Sequence, residues 1–372
     1  MAAGVRAGGV RAAGVVAVCA GAVLVASAVL AACGGGSAVG GGGSAGSVHG
    51  GGRRTAAAGH AGTTKGGSVG GSAWSAAGTL AAGVAVDQVS CATATTCTAV
   101  AGANAYRWDG AAWSGPTGLG FADGTTSVAC PAAGFCMAVA TSGQAATWNG
   151  TAWSPPVTVS TDQGLGAVAC TGPTFCVTVD GVGNSFRWDG AAWHRSAGAW
   201  GAATGVSCAT PTFCVAAEGA PSVWDGQSWS QPQGTDPVDA VSCPTATFCM
   251  GVGTTGDAVA WNGSGWSAAQ PVMTATGGVG GGPDSTGGAG SGLDGTRKGL
   301  TAVSCPTTAD CVAVGADGRA YRWDGAAWSA GQKVSTAALT SVSCVAGSCV
   351  ATDATGHAYS ARRSASRRAA SG

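Results

Sequence analysis

One short pattern recurs along the chain and limits its fold more than any other feature. The unit reads roughly V-S-C-x5-C-x-A-V, then a Gly-containing turn, then W-[DN]-G-x-x-W-S. Seven Cys pairs mark the units: Cys91 with Cys97, Cys130 with Cys136, Cys170 with Cys176, Cys208 with Cys214, Cys243 with Cys249, Cys305 with Cys311, and Cys344 with Cys349. First cysteines are mostly 35 to 40 residues apart. A period of this length indicates a ring or an array of similar units.

The tryptophans give a second count of the same units. Six pairs flank the [DN]-G turn: Trp108 with Trp113, Trp148 with Trp153, Trp188 with Trp193, Trp224 with Trp229, Trp261 with Trp266, and Trp323 with Trp328. The seventh repeat stops at Tyr359 without a second Trp, while Trp74-Ser75 stands alone before the first Cys pair. We therefore expect the segment at Trp74 to supply the last strand of the seventh unit.

Each unit predicts four short β-strands. The first is predicted to end at the first Cys, and the second to start at the second Cys. The third runs into the [DN]-G turn and the fourth follows it, as in Ala327-Trp328-Ser329. Asn-Gly and Asp-Gly are strong hairpin signals because both positions tolerate positive φ.

Four-stranded units of about 40 residues are typical of β-propellers. We predict an all-β, seven-bladed β-propeller of four-stranded blades over residues 73–361, whose last blade is closed by an N-terminal strand. An open array of hairpins or a β-sandwich is the alternative, but neither explains seven equal units with a split seventh.

The repeat resembles that of secreted actinobacterial proteins with β-propeller repeats, and it is loosely similar to kelch and Asp-box propellers. The resemblance covers Trp74 to Ala361 and implies the fold, but it implies little about function because propellers host many activities. The Asp-box separates its Asp and Gly by one residue, whereas Asp109 and Gly110 are adjacent. Sialidase chemistry is therefore not carried over.

The paired cysteines are predicted to form one disulfide within each blade. Zinc sites usually space their ligands by two to four residues and often add His, and this chain has four His. Export would also place the thiols in an oxidising compartment. Each short loop would gain about 2 kcal/mol in the chain-entropy model. We expect neither a metal nor another cofactor, and seven equivalent pairs favour structural staples over redox sensing.

The N-terminus has the features of an export signal. Arg6 and Arg11 precede an apolar run that ends in L-A-A-C at Cys33. This ending resembles a bacterial lipobox, which implies cleavage of residues 1–32 and lipidation of Cys33. An uncleaved transmembrane anchor is the alternative, because about 20 apolar residues can span a bilayer. We expect an exported protein at the outer face of the cell membrane.

Three segments are too rich in small or charged residues to join a core. We expect residues 33–72 to be a flexible Gly/Ser-rich tether, residues 276–299 a disordered insert and residues 362–372 a basic tail.

Chemistry-bearing residues are sparse. Charged residues make up 9% and the formal net charge is zero, which argues against nucleic-acid binding. Glycosidases generally need two carboxylates. Glu218 is the single Glu, and many of the Asp residues lie in the repeated [DN]-G turns, where we expect them to be structural. Arg107, Arg187 and Arg322 recur before a Trp, but we expect them on separate blades and not in a sialidase-like clamp. His194 has no acid partner visible in the sequence.

We expect a monomeric, non-enzymatic binding or scaffold module, attached to the membrane by its lipid. Its partner would be an unknown protein or an envelope polysaccharide, and a propeller-type glycan hydrolase is the alternative. The strand order predicts that the connections between blades and the turns between the second and third strands of each blade share one face. The candidate binding loops on this face are residues 180–185, 254–257 and 316–319.

Overall fold

The propeller was characterised in a computed structural model that describes residues 73–196, 198–199, 201–231, 236–273 and 299–362. The chain divides into residues 1–65 and 66–372, and every described residue belongs to the second part. Within these ranges, 28 strands form seven antiparallel four-stranded sheets, and no helix occurs. The predicted seven-bladed β-propeller is confirmed.

The blades are numbered in chain order, and their strands are given from the central channel outwards. Blade 1 consists of β2 (Gln88–Thr93), β3 (Thr96–Ala101), β4 (Asn104–Trp108) and β5 (Trp113–Gly118), and blade 2 of β6 (Thr125–Ala132), β7 (Phe135–Ala140), β8 (Gln144–Trp148) and β9 (Val157–Thr158). Blade 3 consists of β10 (Leu165–Gly172), β11 (Phe175–Asp180), β12 (Ser185–Trp188) and β13 (Trp193–Arg195), and blade 4 of β14 (Gly205–Thr210), β15 (Phe213–Ala217), β16 (Ser222–Trp224) and β17 (Trp229–Ser230). Blade 5 consists of β18 (Ala240–Thr245), β19 (Phe248–Val252), β20 (Asp257–Trp261) and β21 (Gln270–Pro271), and blade 6 of β22 (Leu300–Thr307), β23 (Asp310–Gly315), β24 (Arg319–Trp323) and β25 (Gln332–Lys333). Blade 7 consists of β26 (Leu339–Val345), β27 (Ser348–Asp353), β28 (His357–Arg362) and β1 (Trp74–Thr79).

The ring closes through blade 7. Each innermost strand contacts the innermost strand of the next blade, and β26 contacts β2. The outer strand of blade 7 is β1, which pairs antiparallel with β28 in a register that sets Trp74 opposite Ala361. The seventh repeat runs past Tyr359 to Arg362, because β1 pairs with β28 as far as Ala361 and Arg362 pairs with Ser348 of β27.

A row of four side chains crosses each complete blade at one level. In blade 1, Cys91 lies opposite Cys97, Cys97 opposite Trp108, and Trp108 opposite Trp113. The Trp108 and Trp113 rings pack tilted, with centroids 5.5 Å apart, and the other five Trp pairs lie 5.6–5.8 Å apart. The spacing of the repeat thus follows from one cross-strand row of Cys, Cys, Trp and Trp.

Every predicted Cys pair forms a disulfide between the first two strands of its blade. The seven bridges join Cys91 to Cys97, Cys130 to Cys136, Cys170 to Cys176, Cys208 to Cys214, Cys243 to Cys249, Cys305 to Cys311, and Cys344 to Cys349. The S–S distances are 2.01–2.09 Å and the Cα–Cα distances 3.9–4.1 Å. The predicted pairing is confirmed in all seven blades.

The prediction that the first two strands end and start at the cysteines was wrong. The strands extend past the cysteines, with two residues left in each connecting turn. Each bridge therefore fastens a hairpin whose loop is very short, which limits the entropy that it removes from the unfolded chain.

The [DN]-G turn is held by its own side chain. In blade 1, Asp109 Oδ1 accepts hydrogen bonds of 2.8 Å from the backbone N–H groups of Ala111 and Ala112. Gly110 has φ of 99°, in the region that favours glycine. Asn149 and Asn262 accept the same two bonds in blades 2 and 5, so an amide oxygen can replace the carboxylate.

The outer strand is present in blades 2, 5 and 6, but its predicted position directly after the [DN]-G turn was wrong. There the second Trp forms an isolated bridge with the first, and the regular outer strand begins later, for example at Gln332 in blade 6. A serine explains the interruption, because the Arg322 N–H donates to Ser329 Oγ at 3.0 Å and not to a strand carbonyl.

Serines before the first Cys join neighbouring blades. Ser90 Oγ accepts a 2.9 Å hydrogen bond from the N–H of Cys130, which lies one blade further along the ring. In four equivalent bonds of 2.9 Å, the N–H of Cys91 donates to Ser343, that of Cys243 to Ser207, that of Cys305 to Ser242 and that of Cys344 to Ser304. The Ser of the V-S-C motif therefore fixes five of the seven blade junctions.

Small apolar residues fill the space between the blades. A cluster between blades 1 and 2, for example, contains the buried residues Val100, Leu119, Val128 and Ala138. Alanine, valine and cysteine dominate these clusters, so the sheets approach closely and both faces of the inner strands are covered.

Candidate functional site

The ring has two different faces. The Cys/Trp face carries the turns after each first strand and the [DN]-G turns. The link face carries the connections between blades and the turns between second and third strands. All seven Cys turns have two residues between strands, whereas the blade links range from residues 334–338 to residues 272–299. The link face is thus the variable side of an otherwise periodic ring.

The channel at the link face is lined by seven equivalent positions, each four residues before the first Cys of its blade. They are Asp87, Thr126, Gly166, Thr204, Asp239, Thr301 and Thr340. With the following strand residues they surround a cavity of about 150 Å³. Apart from the two Asp and Gln88, all residues lining this cavity are Gly, Ala, Val, Ser or Thr.

Threonine hydroxyls in this ring serve the packing of the blades. Thr126 Oγ1 donates at 2.7 Å to the carbonyl of Leu165 in the next blade, and Thr204 Oγ1 does the same to the carbonyl of Asp239. Thr301 Oγ1 donates at 2.8 Å to the carbonyl of Leu339. These hydroxyls are already engaged, so the carboxylates remain as the polar groups to consider.

Two buried carboxylates on the link face are saturated by turn contacts. Asp180 accepts from the N–H groups of Val182 and Asn184 on Oδ1, and from Ser160 and the Asn184 amide on Oδ2. Burial alone would raise the pKa of Asp180, but these hydrogen bonds outweigh burial and hold its pKa below the usual value. Asp180 is thus a structural cap of its turn.

Asp353 plays the same part in blade 7. Its carboxylate accepts from the N–H groups of Thr355 and His357, from Ser335 Oγ and from the Tyr359 hydroxyl at 2.9 Å. Burial raises the pKa of Asp353 and the hydrogen bonds lower it, with a net pKa of about 2. The carboxylate is therefore ionised over the physiological range and fixes the turn.

Asp87 and Asp239 are less completely engaged. Asp87 Oδ2 accepts 3.1 Å bonds from the Gly102 N–H and the Thr125 hydroxyl, and Asp239 Oδ2 accepts from the Thr254 N–H at 2.8 Å. Burial raises the pKa of Asp87, and the bonds from Thr125 and Gly102 oppose this only in part. The two residues belong to blades 1 and 5, three blades apart around the ring, and neither Tyr nor Arg lines the cavity beside them.

The three repeated arginines serve different local contacts. The Arg107 guanidinium lies 4.2 Å from the ring centroid of Trp148 in the next blade. Arg322 Nη2 donates to Asp310 Oδ1 at 2.6 Å. Arg187 lies in β12. The arginines lie in blades 1, 3 and 6, on the third strand and away from the channel-lining first strand, so they do not form one anion clamp.

His194 has an acid partner that the sequence analysis missed. His194 Nε2 lies 2.7 Å from Asp189 Oδ2, across the [DN]-G turn of blade 3. Both side chains are exposed, and the hydrogen bonds from Ala192, Ala191 and His194 hold the pKa of Asp189 far below its usual value. The sequence did not indicate this pair, because the [DN]-G turn already explained why an Asp occurs at position 189.

The candidate loops at residues 180–185, 254–257 and 316–319 lie on the link face, as expected from strand order. In the third loop, the Tyr321 hydroxyl donates to Asp317 at 2.6 Å, and burial together with this bond raises the pKa of Tyr321. Among the described residues, no group of three or more His, Cys, Asp or Glu is placed to hold a metal ion. In that same part of the chain, no helix is long and apolar enough to cross a membrane.

Several sequence predictions lie outside the described residues. They are the signal peptide, the lipidation of Cys33, the tether over residues 33–72, the insert apart from residue 299 and the basic tail after Arg362.

The interblade Ser and Thr contacts were missed as well. Their signal was present, because Ser precedes the first Cys in five of the seven units. What the sequence could not show was the partner, since each bond joins residues of different blades.

Comparisons with known proteins support the fold and no more. No family model and no curated protein matches the chain. Among solved structures, YCF48 bound to D1 peptide is similar with a TM-score of 0.59 and 14% identity, over 78% of this chain and 97% of that one. YCF48 from Cyanidioschyzon merolae gives a TM-score of 0.59 and 15% identity, over 78% and 98%. The WD40 β-propeller domain of Doa1 gives a TM-score of 0.61 and 11% identity, over 80% and 99%. The chain is thus similar in fold to these β-propellers.

Proposed function

We propose that this protein is a monomeric, non-enzymatic binding or scaffold module, held at the outer face of the cell membrane by a lipid on Cys33. The link face would be its binding surface. The observation that carries the proposal is the contrast between the faces. The Cys/Trp face repeats the two-residue Cys turn in all seven blades and the [DN]-G turn in six, while link-face connections differ in length and residues from blade to blade. Variable loops on a rigid frame are the usual place for recognition.

A peptide-bound neighbour supports this choice. One of the similar structures is YCF48 bound to D1 peptide, so a ring of comparable fold can hold a peptide. At 14% identity the binding residues are not transferable, and the partner of this chain would be a protein or an envelope polysaccharide. The relationship to secreted actinobacterial repeat proteins likewise remains our proposal.

The test compares the two faces by crosslinking and pull-down from intact cells. One variant places Lys at Asp123 and Asp257 on the link face, whose carboxylates make no hydrogen bond or ion pair among the described residues. The matched control places Lys at Ala111 and Ala326, exposed positions in [DN]-G turns. We expect the link-face variant to lose the crosslinked partner and the control to keep it. Loss in the control alone would move the binding surface to the Cys/Trp face.

The membrane location has its own test. Mass spectrometry of the cell-derived protein should find Cys33 as the acylated first residue, and Cys33→Ala should leave the protein unprocessed. An intact signal segment in the unsubstituted protein, without acylation, would refute the lipid anchor.

The glycan-hydrolase alternative now rests on Asp87 and Asp239, the two carboxylates that line the link-face cavity. Incubation with a panel of envelope glycans tests it, with Asp87→Asn and Asp239→Asn as variants. We expect no turnover by any of these proteins. Turnover that both substitutions abolish would establish the hydrolase and overturn the non-enzymatic proposal.

A further inference from the structure

The two faces of the ring differ in charge as well as in the length of their loops. Within the described ranges, the link face carries ten carboxylates and three cationic side chains, whereas the Cys/Trp face carries five carboxylates and four cationic side chains. The link-face cations are Arg195, Arg319 and Lys333, and each donates a hydrogen bond to a group of its own blade. The link face is therefore the acidic side of the propeller.

Five link-face carboxylates are partly or fully exposed and form no ion pair in the part of the chain that the structure describes. Two lie beside blade 1 and three beside blade 5: Asp87, Asp123, Asp236, Asp239 and Asp257. Blades 1 and 5 are three blades apart, which is the largest separation in a ring of seven. These five residues, the acidic band, thus lie on both sides of the channel.

Asp87 and Asp239 are the members of the acidic band that line the link-face cavity of about 150 Å³. In each, Oδ2 accepts a hydrogen bond from a backbone N–H, that of Gly102 or of Thr254, and Oδ1 accepts none within the described residues. Partial removal from solvent raises the pKa of Asp87, so its ionised form lacks a compensating positive charge. No Lys or Arg lines the cavity to supply that charge.

We propose that the link face binds a basic peptide segment of its protein partner along the acidic band, and that one Lys or Arg side chain of this segment enters the channel between Asp87 and Asp239. The inference rests on the proposed function, because it names the chemistry of the link-face partner. The cavity is several times larger than the roughly 30 Å³ occupied by one water molecule, so it admits the end of a long cationic side chain.

A peptide suits the acidic band better than the other classes of ligand. A polysaccharide without cationic groups does not neutralise the five carboxylates. A calcium ion takes roughly six to eight oxygen ligands, whereas the cavity offers two carboxylates on blades far apart in the ring. The backbone hydrogen bonds to Asp87 and Asp239 also hold both carboxylates in place, so little side-chain freedom is lost when a cation binds.

The test begins with a selection from phage-displayed random peptides on the oxidised, detergent-solubilised full chain. We expect the retained peptides to be enriched in Lys and Arg, and their binding to weaken as salt rises, because salt screens attraction between exposed charges. Retention of neutral or acidic peptides alone, or of no peptide, would overturn the proposal. Retention that requires added Ca²⁺ would assign the acidic band to a metal ion and overturn it as well.

Substitution of the two channel carboxylates locates the bound side chain. Asp87→Asn and Asp239→Asn remove charge but keep an oxygen that can accept the backbone hydrogen bond at each position. Each should weaken binding of a selected peptide on the order of 10-fold, as measured by fluorescence anisotropy.

The matched controls are Asp109→Asn and Asp324→Asn, which remove the same charge from [DN]-G turns of the Cys/Trp face. Asn149 already occupies the same turn position in blade 2, so these turns accept the amide. We expect both controls to bind like the unsubstituted chain. Equal weakening by channel and control substitutions would reduce the effect to overall charge and refute the site.

Thr340→Lys distinguishes entry into the channel from general attraction to the acidic band. Thr340 lines the cavity at the position equivalent to Asp87, and within the described residues its hydroxyl contacts only that of Thr352, at 3.3 Å. A Lys there supplies the cavity with a cation of the chain itself and leaves the acidic band intact. It should abolish most of the peptide binding, whereas Thr340→Ser should keep it, and the unfolding midpoint of each variant shows that the ring is intact. Undiminished binding by a folded Thr340→Lys protein would refute entry into the channel.

Failure of this inference is distinguishable from failure of the proposed function. If the variant with Lys at Asp123 and Asp257 loses its crosslinked partner in cells but the selection shows no preference for Lys or Arg, the link face remains the binding surface and the basic peptide is refuted. If that variant keeps its partner and only the Cys/Trp-face control loses it, both proposals fall together.

Discussion

Blades 6 and 7 are neighbours that build the same four-stranded sheet in different ways. In blade 6 one continuous segment makes all four strands, and the Trp323 and Trp328 rings pack 5.7 Å apart across the [DN]-G turn. Its regular outer strand has two residues. In blade 7 no turn joins the last two strands, Ala361 takes the place of the third-strand Trp, and the outer strand β1 has six residues.

The difference shows how one kind of interaction replaces another. Blade 7 lacks the covalent turn and the Trp pair, and it has a longer ladder of backbone pairs between β1 and β28 instead. A propeller ring closed in this way is held between β1 and β28 by non-covalent contacts alone. Blade 7 is therefore where we expect the ring to open first, and the following predictions test this expectation.

Removal of β1 should have the largest effect. Deleting residues 73–79 leaves blade 7 with three strands and unpairs β28 along five register pairs. At about 1 kcal/mol for each lost hydrogen bond, stability should fall by on the order of 5 kcal/mol, a large part of the total for a typical domain. Denaturant unfolding of the oxidised protein measures this change.

The control for this deletion removes residues 36–65 of the predicted tether and keeps β1. It should leave the unfolding midpoint unchanged. An equal loss in both proteins would mean that ring closure does not depend on β1.

Blade 6 should depend on its Trp pair as blade 7 depends on β1. Trp323 is buried, with 9% of its surface exposed, so Trp323→Ala should destabilise the protein by about 3–5 kcal/mol. Trp74 is half-buried and lies opposite an alanine, so Trp74→Ala should destabilise the protein less than Trp323→Ala. Unfolding curves of the two variants give the comparison, and a larger loss at Trp74 would contradict it.

Acid should weaken blade 7 through Asp353. Its hydrogen bonds hold the folded pKa at about 2, below the unfolded pKa of about 3.8, so the carboxylate stabilises the fold above pH 4 and loses this effect as the pH falls towards 2. Asp353→Asn should cost about 2 kcal/mol at neutral pH, because an uncharged group accepts these bonds more weakly. The variant should also show a shallower loss of stability between pH 4 and 2. An unchanged acid profile would assign this pH dependence to other carboxylates.

The sequence was sufficient for those features that depend on a repeated residue. The number of blades, the disulfides and the split seventh blade all follow from the positions of Cys and Trp, which recur at one level of every sheet. It was insufficient where a contact joins two blades or depends on one local turn. The Asp189–His194 pair and the late start of β25 after Ser329 are of this second kind.

The candidate site was predicted only in outline. Strand order placed the variable loops on one face, but it could not separate Asp180, whose two oxygens both accept hydrogen bonds, from Asp239, which accepts on Oδ2 alone within the described ranges. That distinction depends on where a few hydroxyl and amide groups point, and short Gly-rich turns leave many choices open.

The smallest predicted effect concerns the junction between blades 6 and 7. Ser304 Oγ accepts from the Cys344 N–H at 2.9 Å, so Ser304→Ala should lower stability by about 1 kcal/mol. The chain contains a natural counterpart, because Ala129 occupies the same position at the junction of blades 2 and 3. Ala129→Ser would offer the Cys170 N–H an acceptor and should stabilise the protein by up to about 1 kcal/mol. If both substitutions change the unfolding midpoint in the same direction, the serine of the V-S-C motif does not act as a clamp between blades.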